Sequence, residues 1–322
     1  MTRLLVNAAW PRADGAAAAR TIQAAGGDGL GLPDSPRLFD DPLLATDRVL
    51  AETGIALAGP CVLAMGLRHP ATVVGGLATL ARRHGPRVVA VLARGESAVR
   101  NENLAVPSLR GYLSTVDSVV AGLAAERHGM TLLGSASGPR TLAETATRAD
   151  GVLIDVGVAP SVVAAAVSRV RAANPAAQVW LFLRVLVSDD SAAAVAPLLG
   201  SCAARLAAAP DWYQVPELLR AEVAGLAAAH DYARHGMAAA GPTSEAASFV
   251  ADRFFVVGDA AVVSARIAAV AGGIDGVVLS GAVGGVLRQV LVRQRRGRTR
   301  SEATAQFLGP TVAAVRAGLE ST

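Results

Sequence analysis

The turn Arg94-Gly95-Glu96-Ser97 carries the side chains best suited to chemistry. It follows an apolar run, Val88 to Leu92, and a carboxylate at the end of a buried strand is costly unless it works or is paired. Glu96 is therefore the first acid–base candidate; an ion pair to Arg94 or Arg100 that holds the loop is the equal alternative. Asp34, in Pro33-Asp34-Ser35, is the second candidate, and an Asx turn accounts for it at least as well. Ser137-Gly138-Pro139 lies between an apolar run and a helical pattern, where backbone N–H groups at a helix start can hold an anion. An ordinary strand-to-helix turn has the same look, and Gly157 opens a comparable loop. His69 precedes Pro70 and reads as a helix cap. His230, Asp231 and His235 do not make a metal face, and Cys61 and Cys202 match no metal spacing, so no metal is expected.

These groups need a frame that brings their loops together. Short apolar runs recur at Leu4–Ala8, Leu30–Leu32, Ile55–Ala64, Val88–Leu92, Met130–Gly134, Gly151–Val156, Gln178–Val187 and Gly276–Leu279. Between them lie helical patterns of about a dozen residues, with start signals at Asp14, Pro42, Pro70, Ser108 and Pro160. Such alternation predicts a parallel sheet, and eight units in one chain of this length predict a single (β/α)8 TIM barrel, with an open doubly wound sheet as the alternative. The seventh and eighth strands are separated by a long stretch without a strand signal. It is read as a helical insertion over 191–255, whose Trp212, Tyr213, His230, Tyr232 and His235 either cover the site or pack the insertion onto the barrel. A C-terminal helix is expected over 301–322.

The chain has 322 residues and is 52% hydrophobic but only 4% aromatic, so its core is large and aliphatic. All its basic residues are Arg, which excludes a lysine Schiff base and a P-loop lysine. The formal net charge of +4 is modest. The basic run Arg293, Arg295, Arg296, Arg298, Arg300 has no interleaved aromatics and reads as solvated surface rather than a nucleic-acid contact. Neither a signal peptide nor a membrane-spanning run of about 20 apolar residues is present, and a reduced cytoplasmic protein is the simplest expectation. No G-x-S-x-G motif and no early G-x-G-x-x-G occur.

Taken together these pieces resemble a known family, the bacterial luciferase-like flavin and deazaflavin oxidoreductases, and most nearly the methylenetetrahydromethanopterin reductase-like branch that uses coenzyme F420. The resemblance spans about Gly26 to Leu279. It rests on the order and spacing of GDGLGLPDSPRLFDDP (Gly27–Pro42), RHPA (Arg68–Ala71), RGESAVR (Arg94–Arg100), SGPRTLAETATRADGVLIDVG (Ser137–Gly157) and FFVVGDAAVVSARI (Phe254–Ile267).

The resemblance implies a barrel, often dimeric, that carries F420, or alternatively FMN, at its C-terminal face. It implies a non-prolyl cis bond at Cys61–Val62, followed by Leu63, behind the cofactor ring, with Arg94 and Gly95 nearby. It implies a cofactor phosphate held by Ser137 and Gly138, with Asp155 and Gly157 in the next loop, and a catalytic-face carboxylate at Glu96. Four positions depart from the pattern. Ala64 replaces a small polar residue, and Val91-Leu92-Ala93 replaces Gly-x-Gly. Asp155 stands where a hydroxyl is usual, and Asp34-Ser35 where many relatives carry a histidine. The implied activity is hydride transfer between F420 and an unsaturated C=C or C=N acceptor, on a small molecule or a peptide, in a homodimer without nucleic-acid or membrane partners. The alternatives are an FMN-dependent monooxygenase and a non-catalytic barrel that has lost its cofactor.

Overall fold

The computed structural model describes residues 2–7, 15–190, 194–230, 244–280 and 300–321. Ala8, Asp14, Asp231, Tyr232, His235 and the arginines Arg293, Arg295, Arg296 and Arg298 lie outside the described residues. The strands are β1 (Arg3–Asn7), β2 (Gly29–Leu32), β3 (Leu57–Ala64), β4 (Val89–Ala93), β5 (Thr131–Ala136), β6 (Gly151–Ile154), β7 (Gln178–Val187), β8 (Phe255–Gly258) and β9 (Gly276–Ser280). Neighbours pair in parallel from β1 to β7; β9 then pairs with both β7 and β1 and closes an eight-stranded barrel. Helices alternate with the strands on the outside, as the expected (β/α)8 TIM barrel requires. Four of them, Pro42–Glu52, Pro70–His84, Pro139–Ala146 and Pro160–Ala173, begin with proline, whose fixed φ and missing N–H suit a first turn. The final helix, Arg300–Glu320, packs against Ala260–Ala268, and its Thr311 hydroxyl oxygen accepts from the Val187 N–H at the end of β7. Among the described residues no helix is long and apolar enough to cross a membrane.

One element departs from the expectation. The stretch between the seventh strand and Gly276 contains a strand, β8, as well as the helices Leu199–Ala208, Glu217–Ala228 and Glu245–Phe254. It exists because β7 outlasts its neighbour: β6 pairs with Gln178 to Leu181, and β8 takes up the pairing at Arg184 to Val187. The Val158 N–H, just past β6, donates to the Arg253 carbonyl, so β8 continues the line that β6 leaves. A four-residue apolar run looks alike as strand or helix; the free edge of β7 decides it.

Two apolar shells flank the strands. The outer one joins barrel and helices. The inner one is filled by Leu5, Cys61, Val89, Val91, Leu133, Leu153, Trp180 and Val278. Burial on both faces explains why β4 is apolar throughout, VAVLA, instead of alternating.

The glycines of β2 shape this interior. Asn7 on β1 donates its amide N–H to the Cys61 carbonyl on β3, 2.7 Å away, although β2 lies between them. The crossing is open because the intervening residue is Gly31, where a Cβ would lie 2.9 Å from the Cys61 Cβ and 3.4 Å from the Asn7 Cα. Gly31→Val should therefore lower the unfolding free energy by about 1–3 kcal/mol through overpacking. Gly75→Ala, on a helix with nothing within 4 Å of the added Cβ, should raise it by about 0.5–1 kcal/mol. Urea unfolding of the two variants measures the contrast; equal effects would sink the crossing argument.

Candidate active site at the barrel mouth

Alternation along the strands carries the inner shell upward to the C-terminal ends. Asn7 follows Leu5, Ser135 follows Leu133, Asp155 follows Leu153, Arg184 follows Trp180 and Phe182, and Ser280 follows Val278. An apolar interior thus ends in a polar ring at the mouth, with half-buried Val62 and Phe182 beneath it.

On one side the ring is organised around the end of β3. The Cys61–Val62 peptide bond is cis, and the β3–β4 register shifts between Cys61 and Leu63. The Cys61 carbonyl accepts from Asn7, which fixes the orientation of that amide; its Oδ1 is buried with no hydrogen-bond partner among the described residues. Burial pushes the Cys61 thiol up to about 12, so it stays protonated and unreactive. Leu63 is fully buried in the outer shell, so only its backbone is near the mouth.

The two sequence-proposed carboxylates are placed very differently. Asp34 is 5% exposed; its carboxylate accepts from the Ala64 N–H at 3.0 Å and from Arg68 at 2.9 and 3.0 Å in a two-point pair. Arg68 also bonds Asp41, which caps the helix Pro42–Glu52. Hydrogen bonds to Asp34 hold the Arg68 guanidinium well above its usual range. Asp34 therefore braces the end of β3. Glu96 opens a short helix, Glu96–Asn101, is exposed, and pairs with Arg100 one turn on at 3.0 Å. Gly95 before it has φ +74, and a Cβ there would sit 2.3 Å from that of Ala64, so the β4 turn rests directly on the braced end of β3. Arg94 is exposed and donates to the Pro107 carbonyl. His69 caps its helix as expected, accepting from the Ala71 N–H.

The other side of the mouth is a buried ion cluster. Asp155 meets Arg184 at 2.8 and 3.0 Å through both oxygens, and Arg205, from the inserted helix Leu199–Ala208, at 2.6 Å. Burial alone would raise the Asp155 carboxyl; the charges and hydrogen bonds of the two guanidinium groups outweigh it and hold the group at about 2. Arg184 lies over the rings of Phe182 and Phe254, 5.0 and 5.4 Å from their centroids. Tyr213, from the same insertion, donates its hydroxyl to the Ser137 carbonyl, and the Gln214 side chain accepts from Ser161. The segment between β7 and β8 therefore touches the loop after β5 and the helix after β6. Gly138 precedes the helix Pro139–Ala146 with no side-chain cap, and a Cβ there would meet nothing within 4 Å. Gly157 has φ +80 and lies against the Arg253 carbonyl, so its glycine is explained by packing.

Sequence reasoning missed Asn7, Arg184 and Arg205. The signal for Arg184 was present: a lone arginine inside WLFLRVLV must find a buried partner. Among the described residues no group of three or more His, Cys, Asp or Glu could hold a metal ion. The residues suit a flat conjugated ring at the mouth: Val62 and Phe182 are half-buried apolar side chains there, and the buried Asn7 Oδ1 is an acceptor with no partner among the described residues. They fit a phosphate beyond β5 and β6 poorly, because the arginines there already hold Asp155.

No family model and no curated protein sequence matches the chain. Solved structures do. The coenzyme F420-dependent tetrahydromethanopterin reductase of Methanopyrus kandleri superposes with a TM-score of 0.65 at 14% identity, over 96% of this chain and 97% of that one. An F420-dependent secondary alcohol dehydrogenase in complex with an F420–acetone adduct gives 0.65 at 15% identity, over 98% and 99%. The oxygenating constituent of 3,6-diketocamphane monooxygenase from Pseudomonas putida, in complex with FMN, gives 0.55 at 12% identity, over 87% and 91%. The likeness expected from the sequence thus holds for the fold over essentially the whole chain.

The brace and the exposed pair should separate in stability. Asp34→Ala, which leaves Arg68 without its buried partner, should cost about 3–5 kcal/mol, and Glu96→Ala no more than about 0.5 kcal/mol, in chemical denaturation. Acid should act through Asp155. Its folded-state value lies below the usual 3.8, at about 2, so its contribution is full above about pH 4 and is lost as pH falls through 2. The loss should amount to roughly 2 kcal/mol. Unfolding curves between pH 6 and pH 2 for the wild type and Asp155→Asn measure it. The same acid limb in both proteins would refute the assignment.

Proposed function

We propose that this chain is an oxidoreductase that binds a deazaflavin ring at its barrel mouth and transfers hydride between coenzyme F420 and an unsaturated acceptor. The acceptor is a C=C or C=N group on a small molecule or a peptide. The observation that carries the reading is the end-to-end likeness to two F420-dependent enzymes, together with a mouth whose apolar floor and partnerless Asn7 oxygen suit such a ring.

Bound F420 supplies the hydride. The remaining work falls to the chain. Val62 and Phe182 would flank the ring, and the Asn7 Oδ1 would accept from a ring N–H. Asp34 acts at one remove: its carboxylate holds the Ala64 amide and Arg68, and so fixes the bulged end of β3 on which the turn at Gly95 rests. Glu96, at the rim and open to water, moves a proton between solvent and the acceptor atom beside the one that takes the hydride. The inserted segment at Tyr213 excludes water over β5 and β6.

Titration of the purified protein with F420 and, separately, FMN, followed by ring absorbance or fluorescence, tests the reading. F420 should bind at least about tenfold more tightly than FMN. FMN preference would overturn it in favour of an FMN-dependent monooxygenase. Binding of neither by a folded protein would favour a barrel without a cofactor, the reading to which the buried Asp155 lends weight. Glu96→Gln should lower kcat by about 10²–10⁴-fold with the F420 Kd changed less than about twofold. An unchanged kcat would remove Glu96 from the chemistry.

A further inference from the structure

The mouth contains an anion site that the chain fills by itself. Two guanidinium groups from separate elements, Arg184 on β7 and Arg205 on the inserted helix Leu199–Ala208, converge at the end of β6. Arg184 presents its fork edge-on to a two-oxygen acceptor, at 2.8 and 3.0 Å, as guanidinium groups do toward a bound carboxylate or phosphate. The acceptor is Asp155. Two positive charges face one negative charge, and the other titratable groups nearby, Cys202 and Tyr213, are both raised by burial and uncharged. Among these described residues, one positive charge is therefore in excess at the end of β6.

The two arginines are not equivalent. The Arg184 side chain is 5% exposed, doubly bonded to Asp155 and stacked between Phe182 and Phe254. Arg205 is 32% exposed and meets Asp155 through one oxygen. Any anion arriving here finds Asp155 first, competes with it for Arg205, and is repelled by it if it does not displace it.

We propose that Asp155 is an internal anion that occupies this site, so that the mouth selects its ring ligand without help from a phosphate. A phosphate or carboxylate enters only by taking Arg205 from Asp155. The inference rests on the ring-binding reading above for the identity of the ligand, but the anion site stands on its own geometry.

Two measurements test it. Thermal unfolding is followed in inorganic phosphate against chloride at matched ionic strength and pH 7. The wild type should show no saturable phosphate effect, whereas Asp155→Ser, with the neutral Asp155→Asn as second variant, should be stabilised saturably. Binding is then compared for F420 and for its ribityl deazaflavin, which lacks the phosphate and the tail attached to it, and for FMN and riboflavin, which differ by the phosphate alone. In the wild type the members of each pair should bind within about threefold of each other. In Asp155→Ser the phosphorylated member should gain about tenfold or more, with the phosphate-free member unchanged.

Saturable phosphate stabilisation of the wild type, or a wild-type preference of about tenfold for the phosphorylated member, would overturn the proposal. So would a folded Asp155→Ser without a phosphate response. If no ring binds any form, the reading of the function falls, while the phosphate arm still decides on Asp155. If neither variant folds, the wild-type arms decide.

Discussion

The carboxylate of Asp155 is where the barrel, the insertion and the mouth are joined. Burying a charge costs several kcal/mol, and here three charges are brought together with most of their surface out of water. The cost is offset only because both Asp155 oxygens are taken by Arg184 and a third contact comes from Arg205. Removing one member of such a cluster leaves the others buried and unpaired. The position of the inserted helix Leu199–Ala208, the inward direction of Arg184 and the coverage of the β5 and β6 loops by Tyr213 all depend on this one meeting point.

Across the mouth a second carboxylate, Asp34, does a comparable job with a different result. It ties Arg68, the Ala64 amide and, through Arg68, the capping Asp41 into one unit at the end of β3. The β4 turn then leans on that end at Gly95. The mouth therefore has a side braced at the ends of β3 and β4 and a side where Arg205 and Tyr213 reach the ends of β5 and β6. This division follows from polar groups available only at the strand ends, because the interior below is aliphatic and packed.

The likeness to F420 and FMN enzymes over nearly the full chain, at identities of 12 to 15%, speaks for a shared backbone more than for shared sites. The strand ends of this chain carry an asparagine crossing over a glycine strand, and arginines that hold a carboxylate.

The sequence by itself determined the frame. Short apolar runs such as VAVLA and GVLI, repeated at regular intervals between helices begun at Pro42, Pro70, Pro139 and Pro160, predict a parallel sheet, and eight such units favour a closed barrel over an open sheet. It also named the loops that reach the mouth, because polar residues directly after such runs have nowhere else to go. It did not separate the roles of Asp34 and Glu96, since a carboxylate after a strand reads the same whether it is braced by Arg68 or exposed beside Arg100. Nor did it find Asn7, Arg184 and Arg205 or the strand Phe255–Gly258. These depend on register and on strands of unequal length, which join residues far apart in the chain. Only the closed barrel sets Asn7 across Gly31 from Cys61, and only the insertion folded back on it brings Arg205 to Asp155, because a buried charge chooses its partner by distance in space and not along the chain.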